Sequence, residues 1–65
     1  MIVFVNNEQM TLPEACTISQ LLEKMGYRGT VAVWVNEQQL LQRDYPLYGL
    51  QERDQVKIVR PLGGG

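Results

Sequence analysis

Only one stretch of this 65-residue chain carries the repeat of an α-helix, and it lies between segments that alternate as β-strands do. Ile18, Leu21, Leu22 and Met25 recur at i, i+3, i+4 and i+7. On a 3.6-residue turn that spacing gathers them into one apolar stripe, while Glu23 and Lys24 face water. One stripe needs one complementary face, and the other apolar residues fall in short β-branched runs, so the face has to be a sheet. The chain is therefore expected to fold as two layers, a single helix on a single sheet. Thr17 with Gln20 three residues on is a capping-box pattern, in which each side chain satisfies a backbone amide at the helix start. The helix is expected from Ile18 to about Met25, with Gly26 as its stop.

The strands follow from turn chemistry and period-two alternation. Residues 2–5 are β-branched and aromatic and run into Asn6-Asn7, side chains that tolerate the left-handed backbone of a tight hairpin. The return strand is expected over residues 8–12, closed by Pro13. A third strand is expected over 30–35, ending at Asn36, and a short polar fourth over 39–42, suited to a sheet edge. Residues 43–49 hold Pro46 and two tyrosines and read as an irregular connection with room for one tight helical turn. Glu52-Arg53-Asp54 is a charged turn, and the last strand is expected over 55–60. Pro61 ends sheet pairing because it has no N–H and holds Arg60 extended.

The resulting order, β-β-α-β-β-β, is that of the β-grasp, ubiquitin-like roll. This is an α+β fold in which a mixed sheet of four to five strands carries one main helix on one face. Its first and last strands run parallel, side by side, in the middle of the sheet, and the third borders the last. Alternation then sends Val3, Val5, Val31, Val33, Val35, Val56 and Ile58 toward the helix and leaves Ile2, Phe4, Trp34 and Val59 on the other face. Phe4, Trp34 and Val59 are expected to lie side by side and, with Leu62, to form an apolar surface for a partner, Trp34 being the anchor type enriched at hot spots.

Composition narrows the function. The length allows one core, expected over residues 1–62, with residues 63–65 as a flexible glycine tail. A net charge of −1 offers no basic footprint for nucleic acid or an anionic membrane. One cysteine and no histidine leave no internal disulfide, no zinc or iron–sulfur ligand set and no histidine base for triad chemistry. The carboxylates Glu23, Glu37, Asp44, Glu52 and Asp54 show no ligand spacing, so no metal site is expected. No apolar run is long enough to cross a bilayer and the N-terminal run is too short for a secretory signal, so a cytoplasmic protein is expected. Cys16 reads as a small buried hydrophobe, Arg60 as a solvated strand end that could aid docking to an acidic partner, and Tyr27, Tyr45 and Tyr48 as packing residues with polar tips.

The chain closes on Gly63-Gly64-Gly65. Without Cβ atoms these residues make a thread narrow enough for a channel and free to bend inside it, and the useful group at its end is the α-carboxylate. A frayed terminus is the alternative. Taken together, Phe4-Val5-Asn6 at the first turn, Thr17-Ile18-Ser19-Gln20-Leu21-Leu22 at the helix start, Val35-Asn36 closing the third strand, and Asp54-Gln55-Val56-Lys57-Ile58-Val59 leading to terminal glycines resemble the ThiS family of sulfur carrier proteins, relatives of MoaD and ubiquitin. The resemblance spans the whole chain. It implies a carrier and co-substrate, not an enzyme. Gly65 would be adenylated by a ThiF-like adenylyltransferase and converted to a thiocarboxylate with sulfur from a donor protein. Thiazole synthase, ThiG-like, would then receive that sulfur for the thiazole ring of thiamin. Gly64, with Gly63 before it, would be recognised in the partner's channel. No cofactor would be bound, since ATP is used by the partner enzyme. The same tail chemistry also fits a carrier for molybdopterin, cysteine or another sulfur pathway. The rivals from other classes are a ubiquitin-like protein modifier joined through Gly65 to lysines, and a β-grasp interaction module whose glycine end is inert.

Overall fold

Two asparagine turns set the register of the sheet. The structure is a computed structural model and describes residues 1–61. Asn6 and Asn7 have φ of 50° and 70°, and Asn36 and Glu37 have φ of 50° and 71°. Two successive left-handed residues make the two-residue turn whose twist matches that of a hairpin. The first joins β1 (Ile2–Val5) to β2 (Glu8–Thr11), with Val5 opposite Glu8. The second joins β3 (Ala32–Val35) to β4 (Gln38–Gln39), with Val35 opposite Gln38. Between the hairpins lies β5 (Gln55–Val59), parallel to β1 and antiparallel to β3, so the five-stranded order is β2-β1-β5-β3-β4. The fold is the expected β-grasp roll.

The helix α1 (Ile18–Lys24) starts as its sequence dictates. The Gln20 amide donates to Thr17 Oγ1 at 3.2 Å and the Thr17 amide to Gln20 Oε1 at 2.9 Å. The next two free amides of the first turn find carbonyls outside the helix: Ile18 N–H donates to Tyr48 at 3.0 Å and Ser19 N–H to Tyr45 at 3.1 Å. The irregular connection over 43–49 is therefore part of the helix cap, which satisfies donors that a helix start otherwise leaves orphaned. The stripe is narrower than its periodicity predicts. Ile18 and Leu21 are fully buried and Leu22 partly so, but Met25 is the C-cap and 38% exposed, because two turns do not reach across the sheet.

Strand ends differ from expectation where another bond claims the backbone. Residues 30 and 31 do not join β3, which begins at Ala32 opposite the last residue of β5, Val59; the Val31 carbonyl accepts instead from the Tyr45 hydroxyl at 2.8 Å. The fourth strand is Gln38–Gln39 rather than 39–42, because the two-residue turn brings the pairing forward. Leu40 N–H still donates to Val33, and Gln42–Asp44 then winds into a 3₁₀ turn. β2 stops at Thr11, although Leu12 exchanges hydrogen bonds with Met1 and is buried. β5 stops at Val59, one residue before the expected end. The charged turn is not wholly solvated: Asp54 is 8% exposed, with Oδ1 accepting from Asn36 Nδ2 at 3.0 Å and Oδ2 from Gln51 N–H at 2.9 Å.

The core lies between α1 and the sheet. Val3, Val5, Val31, Val33, Val35, Val56 and Ile58 all turn into it, joined by Leu12, Ile18, Leu21 and Leu50. Burial of a side chain of this size contributes about 1.5–3 kcal/mol, and in a domain this small few can be spared.

Candidate functional site

The end of β5 carries the chain toward the tail, and three devices hold it. On the β1 side the ladder runs through Phe4 N–H to Asp54 O and Asn6 N–H to Val56 O, both 2.9 Å. There β1 turns away into its hairpin, and the Asn6 side chain supplies the next rung, its Oδ1 accepting from Ile58 N–H at 2.9 Å. On the β3 side Asn36 acts in the same way, its N–H donating to Gln55 O at 2.8 Å and its Oδ1 accepting from Gln55 N–H at 3.0 Å. Beyond β5, the Arg60 guanidinium lies over the Tyr27 ring, 5.2 Å from its centroid, which fastens the last residue before Pro61 on the helix side. A cation over an aromatic face is worth about 0.5–1 kcal/mol at an exposed site.

The proposed partner surface is more polar than the sequence implies. Phe4 and Trp34 are half-buried and Val59 is 39% exposed on the face away from the helix. They do not form one row: Phe4 pairs with Gln55, Trp34 with Lys57, and Val59 with Ala32. Parallel pairing with β1 and antiparallel pairing with β3 offset the rows, so Gln55 and Lys57 separate Phe4 from Trp34. Adjacency of strands is readable from fold order, but register is not. An open concavity bounded by Asn6, Asn7, Trp34, Glu37, Gln55 and Lys57 occupies this face. Lys57 is legible as outward-facing from its place between Val56 and Ile58, whereas the two asparagine clamps carry no sequence signal beyond their turns. Leu62, Gly63, Gly64 and Gly65 lie outside the described residues.

Other chemistry-bearing side chains are accounted for by packing. Cys16 is 5% exposed, with its thiol donating to the Thr17 carbonyl at 3.6 Å. Burial pushes the Tyr45 hydroxyl above the ordinary phenol range. Among the described residues no His, Cys, Asp or Glu group of three or more could hold a metal ion, and no helix is long and apolar enough to cross a membrane.

A β-grasp whose last strand is clamped as far as Arg60 can be set beside known families, and the comparison that decides is a match to the ThiS family over residues 3–65. The chain belongs to the ThiS family. A solved structure of similar fold is the thiamine biosynthesis protein (ThiS) from Geobacter metallireducens, with a TM-score of 0.85 and 23% identity, covering 100% of both chains. No curated protein sequence matches this ThiS-family chain.

Proposed function

We propose that the chain is a sulfur carrier of thiamine biosynthesis, working through a thiocarboxylate on Gly65, and that it is a co-substrate and not an enzyme. The observation that carries this reading is that the family match runs through the terminal glycines, residues 3–65. A terminal carboxylate has a pKa of about 3.3–3.7 and is ionised at neutral pH, which makes it a poor electrophile. A ThiF-like adenylyltransferase overcomes this by joining the carboxylate to the AMP portion of ATP and releasing pyrophosphate. Sulfur at the sulfide level, delivered by a donor protein, then attacks the acyl carbon, forming the C–S bond as the C–O bond to AMP breaks. The resulting thiocarboxylate is a nucleophile that thiazole synthase can accept.

The fold contributes reach and hold. From Pro61 to Gly65 an extended chain spans roughly 14 Å at about 3.5 Å per residue. That lets the terminus enter a partner's nucleotide site while β5 stays in the sheet. Trp34 and Lys57 on the open face, with Phe4 and Val59 at its margins, would carry recognition, and Leu62 would meet the partner at the mouth of the channel. Gly63 and Gly64 would be the thread inside it.

Intact-mass measurement of the chain from its native cell tests the reading. A population heavier by the difference between sulfur and oxygen, located to Gly65 by fragmentation, is the expected result. Isopeptide adducts through Gly65 would make the chain a protein modifier, and an unmodified terminus throughout would remove the carrier role.

A further inference from the structure

Where β1 leaves the sheet, it leaves part of β5 without a neighbour. The hydrogen bonds on that side of β5 come from alternate residues: Asp54 O and Val56 O accept from Phe4 and Asn6, and Ile58 N–H donates to the Asn6 side chain. The next two groups on the same side are the Ile58 carbonyl and the Arg60 N–H, and among the described residues neither has a partner. The other side of the strand is occupied by β3, down to Val59 opposite Ala32. Among the described residues this edge of β5 therefore opens at Ile58–Arg60, directly before Pro61. The Arg60 side chain does not cover it, being drawn to the helix face over Tyr27.

We propose that Ile58–Arg60 is a strand-addition site, and that its occupant is an extended backbone segment of the enzyme that activates Gly65. The inference rests on the carrier reading and adds to it the place and chemistry of docking. On the carrier reading the reacting residue is Gly65, four residues beyond Pro61, so an enzyme that engages its carboxylate must bring its own chain within roughly 14 Å of Pro61. An unpaired carbonyl and amide at that point match what an incoming strand offers, and strand addition draws affinity from main-chain bonds. The site is short by construction. Asn6 Oδ1 closes it at Ile58 N–H, and the Ile58 carbonyl with the Arg60 N–H suffices to align a tail without committing the whole edge to aggregation.

The test uses the full chain made by chemical synthesis with an N-methyl group on the Arg60 amide. This removes the donor, blocks the edge and keeps every side chain. Residue 59 is already extended, which an N-alkylated successor favours, so thermal unfolding should match that of the unmodified chain. Affinity for a ThiF-like enzyme should fall about tenfold or more, as expected when a partner acceptor loses its donor. In the unmodified chain the Arg60 amide should exchange freely with deuterated water and become protected in the complex. Unmodified chain that is adenylated, alongside N-methylated chain that binds equally well and an Arg60 amide that stays unprotected, overturns the edge site and leaves the carrier reading standing. Unmodified chain that is not adenylated by any such enzyme overturns the carrier reading and the edge site with it.

Discussion

Asn6 and Asn36 each supply a left-handed turn residue and a side-chain acceptor for β5, which a glycine in the same turn could not do. Tyr45 has a comparable double role. Its ring is buried beside the helix start and its hydroxyl donates to the carbonyl of Val31, the residue directly before β3. Burial raises its pKa above the ordinary value of 10.0, and the sign of the pH effect follows. The unfolded chain releases this proton near pH 10 and the folded chain only at higher pH. The stabilisation is thus complete below pH 10 and is lost as pH rises through the folded value. Tyr45→Phe should cost about 1 kcal/mol at neutral pH for the lost hydrogen bond, and its unfolding free energy should fall less steeply above pH 10 than that of the parent. Urea titrations at pH 8 and in steps above pH 10 read both effects. Equal slopes in the two proteins would mean that Tyr45 does not control the alkaline limb.

At the scale of elements, the second hairpin places Glu37 in the left-handed region, at φ 71°. An L-residue other than asparagine or aspartate is poorly suited there, at a cost of roughly 1–2 kcal/mol. Glu37→Gly should therefore raise stability by about 0.5–1 kcal/mol after the entropy of the freer unfolded chain is subtracted, with the register Val35 to Gln38 retained. Thermal unfolding measures the gain, and a loss would show that the Glu37 side chain has a role of its own. The same turn shows what sequence reasoning reaches. The Asn6-Asn7 turn, the capping box at Thr17 and the alternation of Val56 with Ile58 are local signals, and each leads to the right element. The start of β3 depends on where β5 ends opposite it, a pairing between residues distant in the chain, and the start of β4 on the length of the turn after Val35. The partner surface is the least legible part. Its residues are assignable to their strands, but the offset that places Lys57 opposite Trp34 exists only once three strands are registered together.

For the molecule as a whole, the described sheet ends at Val59, and the carrier reading assigns the residues after Pro61 to a working tail. Among the described residues the buried core draws on none after Ile58, so deletion of Gly64 and Gly65 should shift the melting temperature by less than a degree or two, roughly the effect of a surface change. Trp34→Ala should weaken binding to the adenylating enzyme by about 2 kcal/mol or more, as hot-spot truncations do. Its loss of stability should stay below the roughly 3–5 kcal/mol of a fully buried aromatic, since Trp34 is only half-buried. The truncated chain should fail as a substrate altogether, because its carboxylate would stop two residues, roughly 7 Å, short of the nucleotide. Gly64→Val tests the thread itself at full length. A β-branched side chain thickens the tail and restricts its backbone, so acyl-adenylate formation should drop while unfolding is unaffected. ATP-dependent adenylation assayed beside thermal unfolding separates the two halves of this account. Adenylation of the truncated chain at the parental rate would show that the glycine end is not the reacting terminus, and a large fall in melting temperature would show that the tail belongs to the fold.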